Sequence, residues 1–111
     1  MAVYVNNFSI DINTDFSRTF DLFNSSNEPL NLSNYSAKSY LRKTPGSSSY
    51  VGFGVSFVDV PNGKIKLSMA STVTSTLNPG IHVYDILLTD PAGKKSIVLE
   101  GIISVRQGIS T

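Results

Sequence analysis

The sequence predicts an all-β sandwich, and three observations carry that prediction. Apolar and polar residues alternate over short runs, the period of a half-buried strand. Clusters of turn-forming residues separate the runs at short intervals, as in sandwiches and barrels. No segment sustains the 3.6-residue apolar period of a helix, alanine is scarce, and β-branched and aromatic residues dominate the runs. At 111 residues the chain has the length of one ordinary domain and is too short for two independent cores. One domain over residues 1–111, with about seven antiparallel strands, is therefore expected.

The first run places Phe8, Ile10 and Ile12 on one face, with Ser9, Asp11 and Asn13 on the other. From Asp15 to Phe23 the even positions Phe16, Phe20 and Leu22 face the core, with Arg18 near a rim. The segment "NSSNEP" is a turn closed by Pro29, which lacks the N–H a ladder needs. Leu30 and Leu32 anchor the next connection. A third strand, Tyr35 to Lys43, then sets Tyr35, Ala37, Ser39 and Leu41 against Ser36, Lys38, Tyr40 and Arg42. "TPGSSS" reads as an exposed loop with nothing apolar to pin it.

Val51, Phe53, Val55 and Phe57 alternate with Gly52, Gly54 and Ser56, which predicts one strand with an almost bare outer face. "DVPNGK" is a turn in which Asn62–Gly63 supplies positive φ. Ile65, Leu67 and Met69 form the next strand, and "ASTVTSTLNPG" has room for one short helical turn. Ile81 to Leu88 is the strongest strand in the chain. "TDPAGKK" makes a hairpin turn with Gly93 at its tip, and Ser96 to Val105 completes the hairpin. This count and spacing match an immunoglobulin-like β-sandwich. Tyr84, near the start of the penultimate strand, is placed to send its hydroxyl back to the preceding connection as a tyrosine corner. An ordinary cross-strand aromatic is the alternative reading of the same residue.

Composition narrows the function classes. Hydrophobic residues make up 41% and charged residues 15%, a balance that supports a packed core and opposes disorder. A net charge of +1 offers no pull toward nucleic acid or an anionic membrane, and neither partner is expected. There are no cysteines, so disulfides, thiolate chemistry and Cys–zinc sites are excluded, and folding in a reducing cytoplasm is favoured. No apolar run approaches the roughly 20 residues that span a bilayer. "MAVYVNNFSI" lacks the features of a signal peptide, so the mature chain is expected to start at or next to Met1.

No catalytic, cofactor-binding or metal-ligating residue is assigned from the sequence. His82 is the only histidine, and a Ser–His–Asp arrangement would need it beside a serine and a carboxylate such as Asp85. Its position beside the alternating face of a strand instead suggests a half-exposed structural imidazole. The carboxylates are Asp11, Asp15, Asp21, Glu28, Asp59, Asp85, Asp90 and Glu100. Several flank turns, where capping and solvation are their ordinary roles, and no Asp-x-Asp-x-Asp spacing marks a calcium loop. Arg42–Lys43 and Lys94–Lys95 read as solvated edge or hairpin-tip residues. The "GFG" at Gly52–Gly54 lacks the strand-to-helix setting of a phosphate loop. Tyr40, Tyr50, Phe23 and Tyr4 are candidate outward-facing aromatics, able to stack on sugars or anchor a neighbouring subunit.

Two blocks resemble a pattern of small tailed-phage virion proteins. "DFSRTFDLFNSSNEPLNLSNYSAKSYLRK" is similar in its alternating strand, Asx-rich turn with proline, "LSNYSA" lead-in and strand ending in Leu-Arg-Lys. "LNPGIHVYDILLTDPAGKKSIVLEGIISV" is similar to the closing hairpin of the same proteins. The chain resembles the immunoglobulin-like N-terminal domain of phage baseplate upper proteins from Asp15 to Val105, with Asn34 where that family usually has glycine. The resemblance implies a non-enzymatic structural component of a virion made in the host bacterial cytoplasm. It would be baseplate- or tail-associated, or a head or neck accessory protein. Its partners would be other virion proteins or copies of itself in a homo-oligomer or symmetric assembly, with no cofactor. The alternative is a carbohydrate-binding or host-surface adhesion module using the exposed tyrosines and the "TPGSSS" loop. A small hydrolase would have to rest on His82.

Overall fold

A computed structural model describes residues 4–44, 46 and 48–107. The alternating runs become strands β1 (Tyr4–Val5), β2 (Phe8–Asp11), β3 (Phe16–Asp21), β4 (Ser36–Arg42), β5 (Tyr50–Gly52), β6 (Gly54–Asp59), β7 (Lys64–Met69), β8 (Gly80–Thr89) and β9 (Lys95–Arg106). The expected helical turn is α1 (Ser71–Thr74), whose Ser71 N–H donates to Asp15 Oδ1 at 2.8 Å. A larger sheet runs β1-β9-β8-β4-β5, with β2 also paired to β9, and a smaller one runs β3-β7-β6. With β3 to β9 taken as strands B, C, C′, D, E, F and G, this is the B-E-D against G-F-C-C′ arrangement of immunoglobulin-like sandwiches.

The core forms where the inner faces meet. Ile65 and Leu67 of β7 oppose Ile86 of β8 and Ile103 of β9, all fully buried, with Leu22 and Leu32 of the connections between them. Each such side chain contributes roughly 1.5–3 kcal/mol through removal from water. At one end the core is aromatic: Phe8 stacks on Phe16 at 5.2 Å and meets the edge of Tyr84 at 5.0 Å. Arg18 was expected near a rim. Its guanidinium lies over the Phe8 and Phe20 rings at 5.3 and 5.7 Å, capping that end.

Turn chemistry follows the sequence closely. Asn24 Oδ1 accepts from the Ser26 and Glu28 amides, and Asp90 Oδ1 accepts from those of Ala92 and Lys94. Asn34, the position where the resembling family has glycine, takes φ 62°, a conformation asparagine tolerates. Between β6 and β7 it is Gly63, at φ 69°, that supplies the positive φ.

Three expectations change. The single strand expected from Val51 to Phe57 is two strands in different sheets, because the chain crosses over at Phe53. There the Phe53 N–H donates to Ser39 O at 2.9 Å and the ring turns into the core. Beyond the crossing Gly54 pairs with Ser68 of β7, whose hydroxyl lies 2.8 Å from where a Cβ of Gly54 would sit. Second, the N-terminal strand pairs with β9 in parallel, Tyr4 beside Leu99 and Phe8 beside Ile103, in one register interrupted at Asn6–Asn7. Third, the Tyr84 hydroxyl is not spent on the connection before β8. It donates to the Asn6 carbonyl at 2.5 Å, inside that interruption. Burial raises the Tyr84 hydroxyl well above its ordinary pKa, so it stays a donor. The "TPGSSS" loop lies partly outside the described residues; Gly46, Ser48 and Ser49 within it are exposed.

Candidate functional site

The larger sheet keeps one face in the core and turns the other outward, and the outer face collects the residues able to bind something. Strand alternation decides which they are. In β8, His82, Tyr84, Ile86 and Leu88 are buried, so Val83, Asp85 and Leu87 point out. Pairing then sets them in rows. Glu100 lies beside Asp85, Asp85 beside Tyr40, and Tyr40 beside Gly52. In the next row Ile102 lies beside Val83, Val83 beside Arg42, and Arg42 beside Tyr50. Together with Val5 and Asn7, all of these residues except Gly52 and Tyr50 line a concavity of about 380 Å³.

Tyr40 stands in one wall, and its ring lies over Gly52, at an ordinary contact distance of about 3.5 Å from where a Cβ there would sit. Tyr40 and Tyr50 meet edge to face, with centroids 4.8 Å apart and planes at 71°. The Arg42 guanidinium covers the Tyr50 ring at 4.7 Å. Apolar residues elsewhere on the face are open to solvent: Val5 is 70% exposed, Tyr50 and Ile81 55%, and Ile102 45%.

Charge is opposite on two neighbouring strands of this face. Lys38 and Arg42 stand on β4 and Asp85 on β8, while β9 carries Glu100 between Lys95 and the Asp11-paired Arg106. Burial in the concavity pushes the Asp85 carboxyl above its ordinary pKa; Arg42 pulls it back, and Glu100, directly opposite, adds to the rise. The other aspartates serve locally. Asp11 pairs with Arg106 and Asp21 with Lys64, both at 2.8 Å, while Asp15, Asp59 and Asp90 hold a helix start or turns.

The sequence candidates separate. Tyr40 and Tyr50 come together on the outer face, whereas Phe23 is bridged to Pro29 in the turn after β3. The Tyr4 side chain lies outside the described part of the chain. His82, expected to be half-exposed, is buried on the core face. Its Nε2 donates to the Asn78 carbonyl at 2.9 Å, and Nδ1 is buried without a hydrogen-bond partner among the described residues. Asp85, three positions along β8, faces the opposite way, so the two do not form a catalytic pair. Among the described residues no cluster of three or more His, Asp or Glu side chains is spaced to hold a metal ion.

The face itself was not singled out from the sequence, although a signal was present. Ile81 to Leu88 is apolar at most positions of both alternating sets, the mark of a strand covered on both faces. Among the described residues, only one of those faces is covered.

Fold and face together define an immunoglobulin-like sandwich with an open, partly apolar sheet surface. No protein-family model and no curated protein sequence matches the chain. Among solved structures it is similar to a Listeria monocytogenes internalin-like protein, with TM-score 0.51 and 14% identity, over 94% of this chain and 28% of that one. It is also similar to a family 123 glycoside hydrolase from Clostridium perfringens, with TM-score 0.45 and 12% identity, over 100% of this chain and 24% of that one. The chain thus spans about a quarter of the length of each. At such identity the first likeness speaks for the fold alone.

Proposed function

We propose that this chain is a non-enzymatic structural component of a tailed-phage virion, working through protein–protein contacts made by the outer face of the larger sheet. The observation that carries the contact role is the composition of that face. Val5, Ile81, Ile102, Tyr40, Tyr50 and Arg42 bring exposed aliphatics, aromatics and an arginine onto one rigid surface. Contiguous apolar patches are uncommon on free monomers, and tyrosine and arginine are the residues that anchor interfaces. The virion setting is supported by the two motif blocks, Asp15–Lys43 and Leu77–Val105, and by the low charge of the chain. Its partners in this reading are other virion proteins and copies of itself.

A carbohydrate-binding role is the second reading, and the concavity beside Asp85 and Glu100 favours it. The tyrosine geometry weighs against it: rings at 71° to one another offer no flat platform for a sugar. Mass spectrometry of purified phage particles tests the leading reading. The chain is expected at a fixed copy number per particle, and its absence from particles would overturn the proposal.

A further inference from the structure

We infer that the outer face of the larger sheet is an isologous interface with a second copy of this chain, about a two-fold axis parallel to the strands between β8 and β4. The inference rests on reading this face as a protein-contact surface, and charge selects the occupant. The basic residues Lys38 and Arg42 lie on β4, and the acidic Asp85 lies on the adjacent β8. A two-fold axis in the interface and parallel to the strands lays β8 of each copy over β4 of the other. Asp85 then meets Tyr40 of the second copy, between its Lys38 and Arg42, and symmetry repeats the contact. An in-plane axis across the strands would instead stack β4 on β4, basic column on basic column. The face is therefore complementary to itself in one orientation and repulsive in the other.

The remaining features of the face fit the same occupant. Asp85 and Glu100 are direct cross-strand neighbours, an arrangement that costs stability in a sheet, and Lys38 and Arg42 of the second copy flank Asp85 and add to the relief that Arg42 of its own chain gives. In the same register Val83 lies over Arg42 of the second copy and Ile102 over its Tyr50, so aliphatic side chains meet the aromatic wall.

The test uses the full chain and two charge reversals, Arg42→Glu and Asp85→Arg, in sedimentation velocity and native mass spectrometry. Wild type is expected to dimerise in the micromolar range, and each reversal alone to weaken dimerisation by about 100-fold or more, since it sets like charges together. Mixing the two variants restores both contacts at once. The native Asp85 of one variant meets the native Arg42 of the other, and the two introduced charges, also opposite in sign, meet at the symmetric contact. A one-to-one heterodimer is the expected product. A wild type that stays monomeric, a dimer indifferent to either reversal, or a mixture of folded variants that stays monomeric would each overturn the inference. Should a reversal unfold the chain, Ile102→Glu at an already exposed position carries the test, and a dimer that survives it overturns the interface. A chain absent from particles yet dimeric sinks only the virion reading, whereas a chain present in particles yet monomeric sinks only this one.

Discussion

Asp85 sits at the centre of the outer face with Glu100 on one side and Tyr40 on the other. Its carboxyl titrates above its ordinary value, chiefly because the concavity withdraws it from water. The direction fixes the pH dependence. Above the folded-state pKa the ionised group costs the fold stability; as pH falls through that value the cost shrinks, and below the unfolded value, near 3.8, it is gone. Asp85→Asn, measured at dilutions where the chain is monomeric, is expected to raise the unfolding temperature at pH 7, with the gain fading toward pH 4. A variant that melts below wild type at pH 7 would show that the charge stabilises the monomer. Alternation along β8 makes Asp85 legible as an outward residue. The neighbour that raises it further is not legible, because Glu100 is brought opposite by pairing across the hairpin.

At the scale of elements, the N-terminal strand shows how one backbone fault is absorbed. The Asn6 N–H donates to Glu100 O at 2.9 Å, but the Asn6 carbonyl turns inward to the Tyr84 hydroxyl. The Ile102 N–H donates to Asn7 Oδ1 at 2.8 Å, so a side-chain amide completes the ladder. Gly101 makes this fit, since any Cβ there would overlap the Asn6 carbonyl. Gly101→Ala is expected to cost about 1–3 kcal/mol in denaturant unfolding, as overpacking at a close approach does. It should also speed hydrogen exchange at the Asn6 and Ile102 amides more than at core amides of β7. Uniform exchange across the sheet would contradict this account. Local patterns place each strand, turn and the helical turn near where they form. They do not reveal the parallel pairing of β2 with β9, the crossover at Phe53 or the inward turn of the Asn6 carbonyl. Each depends on residues far away in sequence.

At the scale of the whole molecule, the two sheets divide the labour. The smaller sheet closes the core, and the larger one closes it from the other side while presenting a partly apolar face on which β4 and β8 carry opposite charge. The fold class was readable because strand period and turn spacing are local properties. The face was readable only in part, as the excess of apolar residues in Ile81–Leu88, because a surface is assembled by cross-strand register. Its burial in an assembly can be measured directly, since the chain has no cysteine and one introduced thiol is a unique reporter. Ile102→Cys places that thiol on the face, in the row of Val83, Arg42 and Tyr50, and Val58→Cys places a control on the 55% exposed position of the smaller sheet. With the variants built into phage particles, the account predicts that a maleimide labels the Val58→Cys thiol at the rate seen in dilute chain. The Ile102→Cys thiol should be labelled at least about tenfold more slowly in particles than when free, the result of a well-packed interface core excluding water and reagent. Equal labelling of Ile102→Cys in both states would contradict the claim that this face is the working surface.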